Sequence, residues 1–334
     1  MSAVAKFLLP IDTAPMEAKL ADSIPVEGGL WQYEPKWDGF RCLAFKVQNA
    51  VDIRAKSGKP LGRYFPELVD RLLGMAAPRF VVDGEILIER CGDFSFDALQ
   101  MRLHPAESRV RKLSADTPAK LMLFDMLADS DEAVLLDKPL SMRRAALEAF
   151  VKSSNAEGIE LSPVTVHAEQ AQKWLTAAGG KTDGIIAKRL DHPYLRGERA
   201  WVKVKPMRSA DCVVGGFRYL ADRQEVGSLL LGLYDPEGRL DHVGFTSTIS
   251  NDTRCELTRR LEELRQSPGF TGNAPGRPSR WSTERSAAWV PLRPELVVEV
   301  RFDHVTNNRF RHGTKLLRWR PDKVPRQCTF DQLR

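Results

Sequence analysis

The octapeptide Glu34-Pro35-Lys36-Trp37-Asp38-Gly39-Phe40-Arg41 joins two strand-like runs, Trp31–Glu34 and Phe40–Gln48, and carries charge at four of its eight positions. Buried charge is costly unless it is paired, so this junction must open onto a cleft or meet partners from elsewhere in the chain. A lysine flanked by carboxylates, with a glycine that lets backbone or ligand approach closely, suits a nucleophilic amine better than a packing role. A hairpin turn with a surface lysine is the plain alternative for the octapeptide taken alone.

Three further segments repeat the pattern. Val81-Val82-Asp83-Gly84-Glu85-Ile86-Leu87 is a strand interrupted by two carboxylates, and Thr182-Asp183-Gly184-Ile185-Ile186-Ala187-Lys188-Arg189 is a strand opened by Asp-Gly. Trp201-Val202-Lys203-Val204-Lys205 alternates, which turns both lysines to one face and both valines to the other. Two lysines in register repel each other unless an anion lies between them. Carboxylates on separate strands offer hard oxygen ligands to a divalent cation, and paired lysines offer a phosphate clamp. A charged edge strand that resists aggregation explains one such segment but not four in order.

Around them the first 205 residues alternate between strands (Phe80–Ile88, Leu121–Leu127, Trp201–Lys205) and helices (Tyr64–Gly74, Phe94–Met101, Ser141–Val151, Glu169–Ala178), which predicts mixed sheets and helices. Pro206 opens a linker. Beyond it come strands at Asp211–Tyr219, Gly227–Tyr234 and Leu240–Thr246, the last two joined by an Asp-Pro-Glu-Gly turn. A helix over Asp252–Arg265 with an Asn or Asp cap and a loop over Ser267–Arg280 follow, then strands near Glu295–Phe302 and Lys315–Trp319. Five short strands with one helix predict a small barrel of the OB type.

The net charge of +6 is uneven: from Pro206 onward there are 21 Lys/Arg against 16 Asp/Glu, and 19 of the 21 are Arg. An arginine-rich third suits a phosphate-bearing polyanion, although a solvated basic face accounts for charge alone equally well. The five cysteines form no CxxC pair, which argues against structural zinc or a disulfide framework. No run approaches the roughly 18 apolar residues of a membrane span, and the N-terminal segment does not read as a secretory signal. Among the histidines, His104, His167, His192 and His242 lack metal spacing, and His304 and His312 flank the arginine-rich stretch. Among the tryptophans, Trp37 and Trp319 lie inside motifs.

The ordered set resembles the covalent nucleotidyltransferase superfamily of DNA ligases, RNA ligases and mRNA capping enzymes. Its hallmark Lys-x-Asp-Gly is matched by Lys36, Asp38 and Gly39, with Arg41 in the expected place. Glu85 resembles the carboxylate of the third motif, Phe124 the adenine-stacking aromatic, Asp183-Gly184 the fourth motif, and Lys203 and Lys205 the fifth. Arg318-Trp319-Arg320-Pro321-Asp322-Lys323 resembles the sixth. Glu34, Arg54 and the segment Phe94-x-x-x-x-Leu99-Gln100-x-Arg102 look most like ATP-dependent DNA ligases, and the size and ending look like the short, two-domain C-type ligases of actinobacteria. One departure stands out: the fourth motif usually begins with Glu, and here it is Asp183.

The resemblance implies an α+β architecture. An N-terminal nucleotidyltransferase (ATP-grasp-like adenylation) domain of packed antiparallel sheets and helices would occupy residues 1–206, and a C-terminal OB-fold β-barrel residues 207–334. It implies ATP-dependent sealing of nicks in duplex DNA through AMP covalently bound to Lys36, in repair. An RNA ligase or a GTP-using capping-type enzyme is the alternative. Glu34, Arg41, Glu85, Phe124, Lys203, Lys205, Arg320 and Lys323 would bind the nucleotide, Glu85 and Asp183 would hold Mg²⁺ or Mn²⁺, and Arg54, Arg301 and Arg309 would touch DNA. The expected protein is a cytoplasmic, nucleoid-associated monomer that works with nicked DNA and a repair polymerase or primase, without membrane contact.

Overall fold

A long strand buried along most of its length must have both faces covered, as in Arg79–Arg90, Ala119–Ala128 and Arg208–Tyr219. The computed structural model describes residues 6–27, 30–154, 156–178, 182–276 and 288–333. Residues 1–5 of the N-terminal segment and 277–280 of the Ser267–Arg280 loop lie outside the described residues. The chain divides into two compact units, Met1–Pro206 and Met207–Arg334.

In the first unit the strands are β1 (Ala18–Ala21), β2 (Trp31–Trp37), β3 (Phe40–Val47), β4 (Ala50–Ala55), β5 (Arg79–Arg90), β6 (Asp93–Phe94), β7 (Ala119–Ala128), β8 (Ile159–Leu161), β9 (Thr182–Arg189) and β10 (Trp201–Val204). The helices are α1 (Pro66–Gly74), α2 (Phe96–Arg102), α3 (Glu107–Asp116), α4 (Leu140–Ser154) and α5 (Ala168–Thr176). A six-stranded sheet runs β4-β3-β5-β7-β8, with β6 paired to β5, and a four-stranded sheet runs β1-β10-β9-β2. Alternation sorts the side chains. Val82, Ile86 and Ile88 of β5 join Cys42 and Ala44 in a core closed by Leu68 and Leu72 of α1 and Leu147 and Phe150 of α4. Val81 lies on the opposite face, with Leu43, Phe45, Phe124, Tyr194 and Trp201. In the smaller sheet, Tyr33, Ile185, Ala187, Val202 and Val204 pack with Ala171 of α5. The remaining faces of the two sheets share the layer that carries the charged motifs.

Most buried charges in this unit come in pairs, whereas Lys46 donates instead to the Leu73 and Met75 carbonyls. Asp125 and Arg143 are 0% and 1% exposed, joined at 2.8 and 3.0 Å, and Arg143 also donates to the Lys138 and His192 carbonyls. Arg102, predicted as part of a ligase-like segment, is wholly buried and ties α2 to Glu67 of α1 and to the Tyr64 carbonyl.

The second unit contains β11 (Arg208–Tyr219), β12 (Val226–Tyr234), β13 (Leu240–Thr246), α6 (Arg254–Glu263), β14 (Val290–Pro291), β15 (Val297–Phe302), β16 (Val305–Thr306), β17 (Arg309–Phe310) and β18 (Lys315–Trp319). The sheet order is β13-β12-β11-β15-β18, with β14 paired to β11. Its two ends meet: Thr314 N–H donates to the Phe245 carbonyl at 3.0 Å and Thr246 Oγ1 to the Thr314 carbonyl at 2.9 Å. A sheet closed on itself around one apolar core is the OB-type barrel the strand spacing predicts. The predicted cap of α6 differs. Thr253 precedes the helix without capping it, its hydroxyl donating to the Ser250 carbonyl, and Asn251 Oδ1 accepts from the Arg254 side chain. Among the described residues no helix is long and apolar enough to cross a membrane.

The Asp125–Arg143 pair generates a test. Arg143→Met should lower unfolding stability by about 3–5 kcal/mol, because it strands a buried carboxylate, whereas Arg143→Met combined with Asp125→Leu should recover most of that. Urea unfolding of the three proteins measures both, and a single substitution costing under about 1 kcal/mol would contradict the assignment.

Candidate active site

Lys36 stands one residue from the end of β2, where the strand turns through Asp38-Gly39 into β3. Gly39 is required there: a Cβ would collide with the Ile86 carbonyl, and its N–H donates to Glu85 Oε1 at 3.1 Å. Lys36 Nζ donates to Asp183 Oδ2 at 2.8 Å, and Lys205 Nζ pairs with the same oxygen at 2.9 Å. Asp183 is the second residue of β9 and precedes Gly184, whose φ of +127° and closeness to the Val204 carbonyl leave no room for a side chain. Three strand ends thus bring two ammonium groups onto one carboxylate.

These groups border a cavity of about 650 Å³ lined by Glu34, Lys36, Trp37, Arg41, Glu85, Phe124, Ile186, Lys188, Trp201 and Lys203, with Glu17, Leu20, Lys56 and Arg199 also around it. Its floor is aromatic: Phe124 and Trp201 meet edge to face at 6.0 Å, and the Arg41 guanidinium lies 4.8 Å from the Trp201 ring and 5.5 Å from Phe124. Arg41 forks onto Asp83 at 2.7 and 3.1 Å, and Tyr194 Oη donates to the same carboxylate at 2.6 Å. Asp83 lines no part of the cavity but fixes the arginine that does.

The electrostatics favour an anionic ligand. Burial pushes Glu85 up to about 8, against the opposing pull of Lys36, Arg41 and the Gly39 N–H. Burial also raises the Asp183 carboxyl, but Lys36 and Lys205 outweigh it and hold the group below the usual carboxylate range. Lys203 is lowered by burial and then by the neighbouring charges of Lys205 and Lys36. Clustered cations of this kind are stabilised by an incoming phosphate.

Among the described residues, no group of three or more His, Cys, Asp or Glu could hold a metal ion. The donors near Lys36 are two hard carboxylates. Glu85 is half-buried on the cavity wall and accepts one hydrogen bond, so it keeps lone pairs with which it would hold a divalent cation. That donor set fits Mg²⁺ or Mn²⁺.

The structure gathers Glu34, Lys36, Arg41, Glu85, Phe124 and Lys203 around the cavity, with Asp183 attached to Lys36 and Lys205 to Asp183. Arg54 is engaged differently from a free phosphate contact. It forks onto Asp52 of the same strand at 2.7 and 2.7 Å and donates to the Gly58 carbonyl, and Lys56 is the cation of that segment on the cavity. Arg320 and Lys323 belong to the second unit, where both pair with Asp211, at 2.8 and 3.4 Å, and Arg320 also holds Asp322. Arg309 bonds His242 Nδ1 at 2.8 Å, and Arg301 is half-buried on β15. His312 pairs with Asp303 at 2.9 Å. Trp319 packs on the barrel core beneath Arg260.

Sequence reasoning overlooked Trp201 and Lys188. The signal for Trp201 was present, since period-two alternation puts it on the face of Lys203. Lys188 depends on β9 pairing with β2, and nothing local announces that register.

Comparison with known proteins adds to this geometry. Residues 15–205 match the family described as ATP dependent DNA ligase domain, and residues 222–323 the ATP dependent DNA ligase C terminal region. The chain is 44% identical to DNA ligase C1 of Mycolicibacterium smegmatis, over 96% of this chain and 93% of that protein. It is 40% identical to DNA ligase C of Mycobacterium tuberculosis, over 96% and 93%. Among solved structures, mycobacterial DNA ligase D complexed with ATP and MES superposes with a TM-score of 0.52 at 27% identity, covering 96% of this chain and 98% of that one.

Proposed function

The chain belongs to the ATP-dependent DNA ligases, and on that premise we propose that Lys36 is the residue through which it uses ATP to seal nicks in duplex DNA. The observation that carries this is Lys36 Nζ held at 2.8 Å by Asp183 on the rim of a cation-rich cavity with an aromatic floor.

Lys36 Nζ attacks the α-phosphorus of ATP. A P–N bond forms, the bond to the bridging oxygen breaks, and pyrophosphate leaves with the electron pair. Nζ must shed a proton to solvent first, and the Asp183 carboxylate that accepts from it orients the amine. Lys203 and Lys205 neutralise charge that builds on the phosphate, Phe124 stacks on the base, and Glu34 reads its amino group. Glu85 and Asp183 would hold Mg²⁺ or Mn²⁺, which would neutralise phosphate charge. AMP then passes to the 5′-phosphate of the nick, and the 3′-hydroxyl displaces it to close the strand.

Arg301 and Arg309 of the barrel would grip phosphates, without sequence preference and with strong salt dependence. Arg54 would join them by exchanging Asp52 for a nick phosphate. We assign the enzyme to repair, acting as a monomer with a polymerase or primase that prepares the nick.

Incubation with labelled ATP and metal, followed by denaturing electrophoresis, tests the nucleophile. Lys36→Ala and Lys36→Arg should take no label, because neither forms the phosphoramide. Full labelling of Lys36→Ala would place the acceptor elsewhere. In the same assay Asp183→Asn should cut adenylation by about 100-fold or more, since an amide neither holds two ammonium groups nor binds a hard cation well. Asp183→Glu should be tolerated far better, and a wild-type rate for Asp183→Asn at low metal would remove this residue from the site.

Arg320 and Lys323 serve the first step in this scheme, orienting the pyrophosphate that leaves. Arg320→Ala and Lys323→Ala should therefore lose self-adenylation yet still seal a nick that already carries AMP. Equal loss of both steps would contradict that division.

A further inference from the structure

Lys188 is 1% exposed, lies beside the cavity, and has no part in the scheme above. Strand register explains its position. β9 runs antiparallel to β2 with Lys188 opposite Gln32 and Ile186 opposite Glu34, so Lys188 reaches diagonally to the Glu34 carboxylate. Its Nζ pairs with Glu34 Oε1 at 2.7 Å, and Gln32 Nε2 donates to that same oxygen at 2.9 Å. The ammonium group also sits 4.5 Å from the Phe124 ring centre and 4.3 Å from that of Trp201, and it reaches the Phe124 carbonyl at 3.4 Å.

The consequence is an asymmetric carboxylate. Glu34 is 2% exposed and lines the cavity. Both of its partners act on Oε1, and among the described residues Oε2 accepts no hydrogen bond. A buried carboxylate with its own counter-ion stays charged and can only accept, whereas one without a counter-ion takes up a proton and can also donate. An acceptor-only oxygen beside an aromatic floor pairs with an exocyclic amine and repels a carbonyl.

We propose that Lys188 is the positioning residue that sets base selectivity, by fixing Glu34 as an acceptor so that a 6-amino purine is bound and a 6-oxo purine is refused. This rests on the reading that Glu34 faces the base. Lys188 touches no part of the nucleotide in this account. It acts through Glu34 and, through the two rings, on the floor the base rests upon.

Adenosine and inosine triphosphates differ only along the N1–C6 edge, a C6 amine beside a bare N1 against a C6 carbonyl beside N1–H, and are the probes. The wild-type protein should adenylate with ATP at least about 100-fold more efficiently than it inosinylates with ITP, because a site built around one hydrogen bond rejects the analogue lacking it. Lys188→Met, of similar length but uncharged, should bring the ratio below about 10-fold, by raising KM for ATP while improving use of ITP. Lys188→Arg should keep the wild-type preference. Cooperative thermal unfolding shows which variants fold. If Lys188→Met does not, Lys188→Gln, which removes charge but keeps a donor, should show the same collapse. A neutral variant with the wild-type ratio, or one that loses ATP and ITP use by equal factors, overturns the proposal. Glu34→Gln separates the two layers: unchanged discrimination there refutes Glu34 as the base reader. Altered discrimination with Glu34→Gln but none with the Lys188 variants refutes only the role of Lys188.

Discussion

The Asp183 carboxylate shared by Lys36 and Lys205 organises this molecule's chemistry. It joins the end of β2, the start of β9 and the residue after β10, three places distant in sequence, at 2.8 and 2.9 Å. Without it two ammonium groups would face each other in a partly buried site, with Lys203 adding a third charge nearby. The carboxylate is held there by backbone geometry that only Gly184 permits. The site is therefore strained by charge and waits for an anion, the condition a triphosphate relieves. That Asp stands here where the family usually has Glu is compatible with this arrangement, since the shorter side chain reaches both lysines.

The rest of the first unit supports that cluster by pairing most of its deep charges. Arg41 with Asp83, Lys188 with Glu34 and Arg143 with Asp125 each place a cation and a carboxylate on neighbouring elements, and two of the three pairs border the cavity. Such pairs contribute little net stability over apolar packing, so their value lies in fixing geometry. The sheets supply what remains. One face of each is apolar and covered by helices, so the other faces can carry charge without loss of the core.

Much of this was legible in the sequence because strand periodicity and charge position are local. Lys203 alternating with Val202, carboxylates interrupting β5, and Asp-Gly opening β9 each state which face is polar. The elements that escaped had no such pattern. β1 is four residues long, α3 buries only Val110, and β4 alternates too weakly against its charges. Residue roles that depend on pairing were harder. Arg54 reads as a free phosphate ligand until Asp52, two positions earlier on the same strand face, is seen to hold it. Lys188 is silent until β9 is laid beside β2, from which it is separated by more than 150 residues.

The central claim is that Lys36 itself becomes joined to AMP, and peptide mapping by mass spectrometry tests it most directly. The purified protein would be incubated with ATP and magnesium in the absence of DNA, then digested and mapped under conditions that preserve P–N bonds. One AMP on the peptide containing Lys36, released by acid and transferred when nicked DNA is added, is the predicted result. AMP on a peptide containing Lys188, Lys203 or Lys205 instead, or none on any lysine while nicks are sealed, would contradict the account.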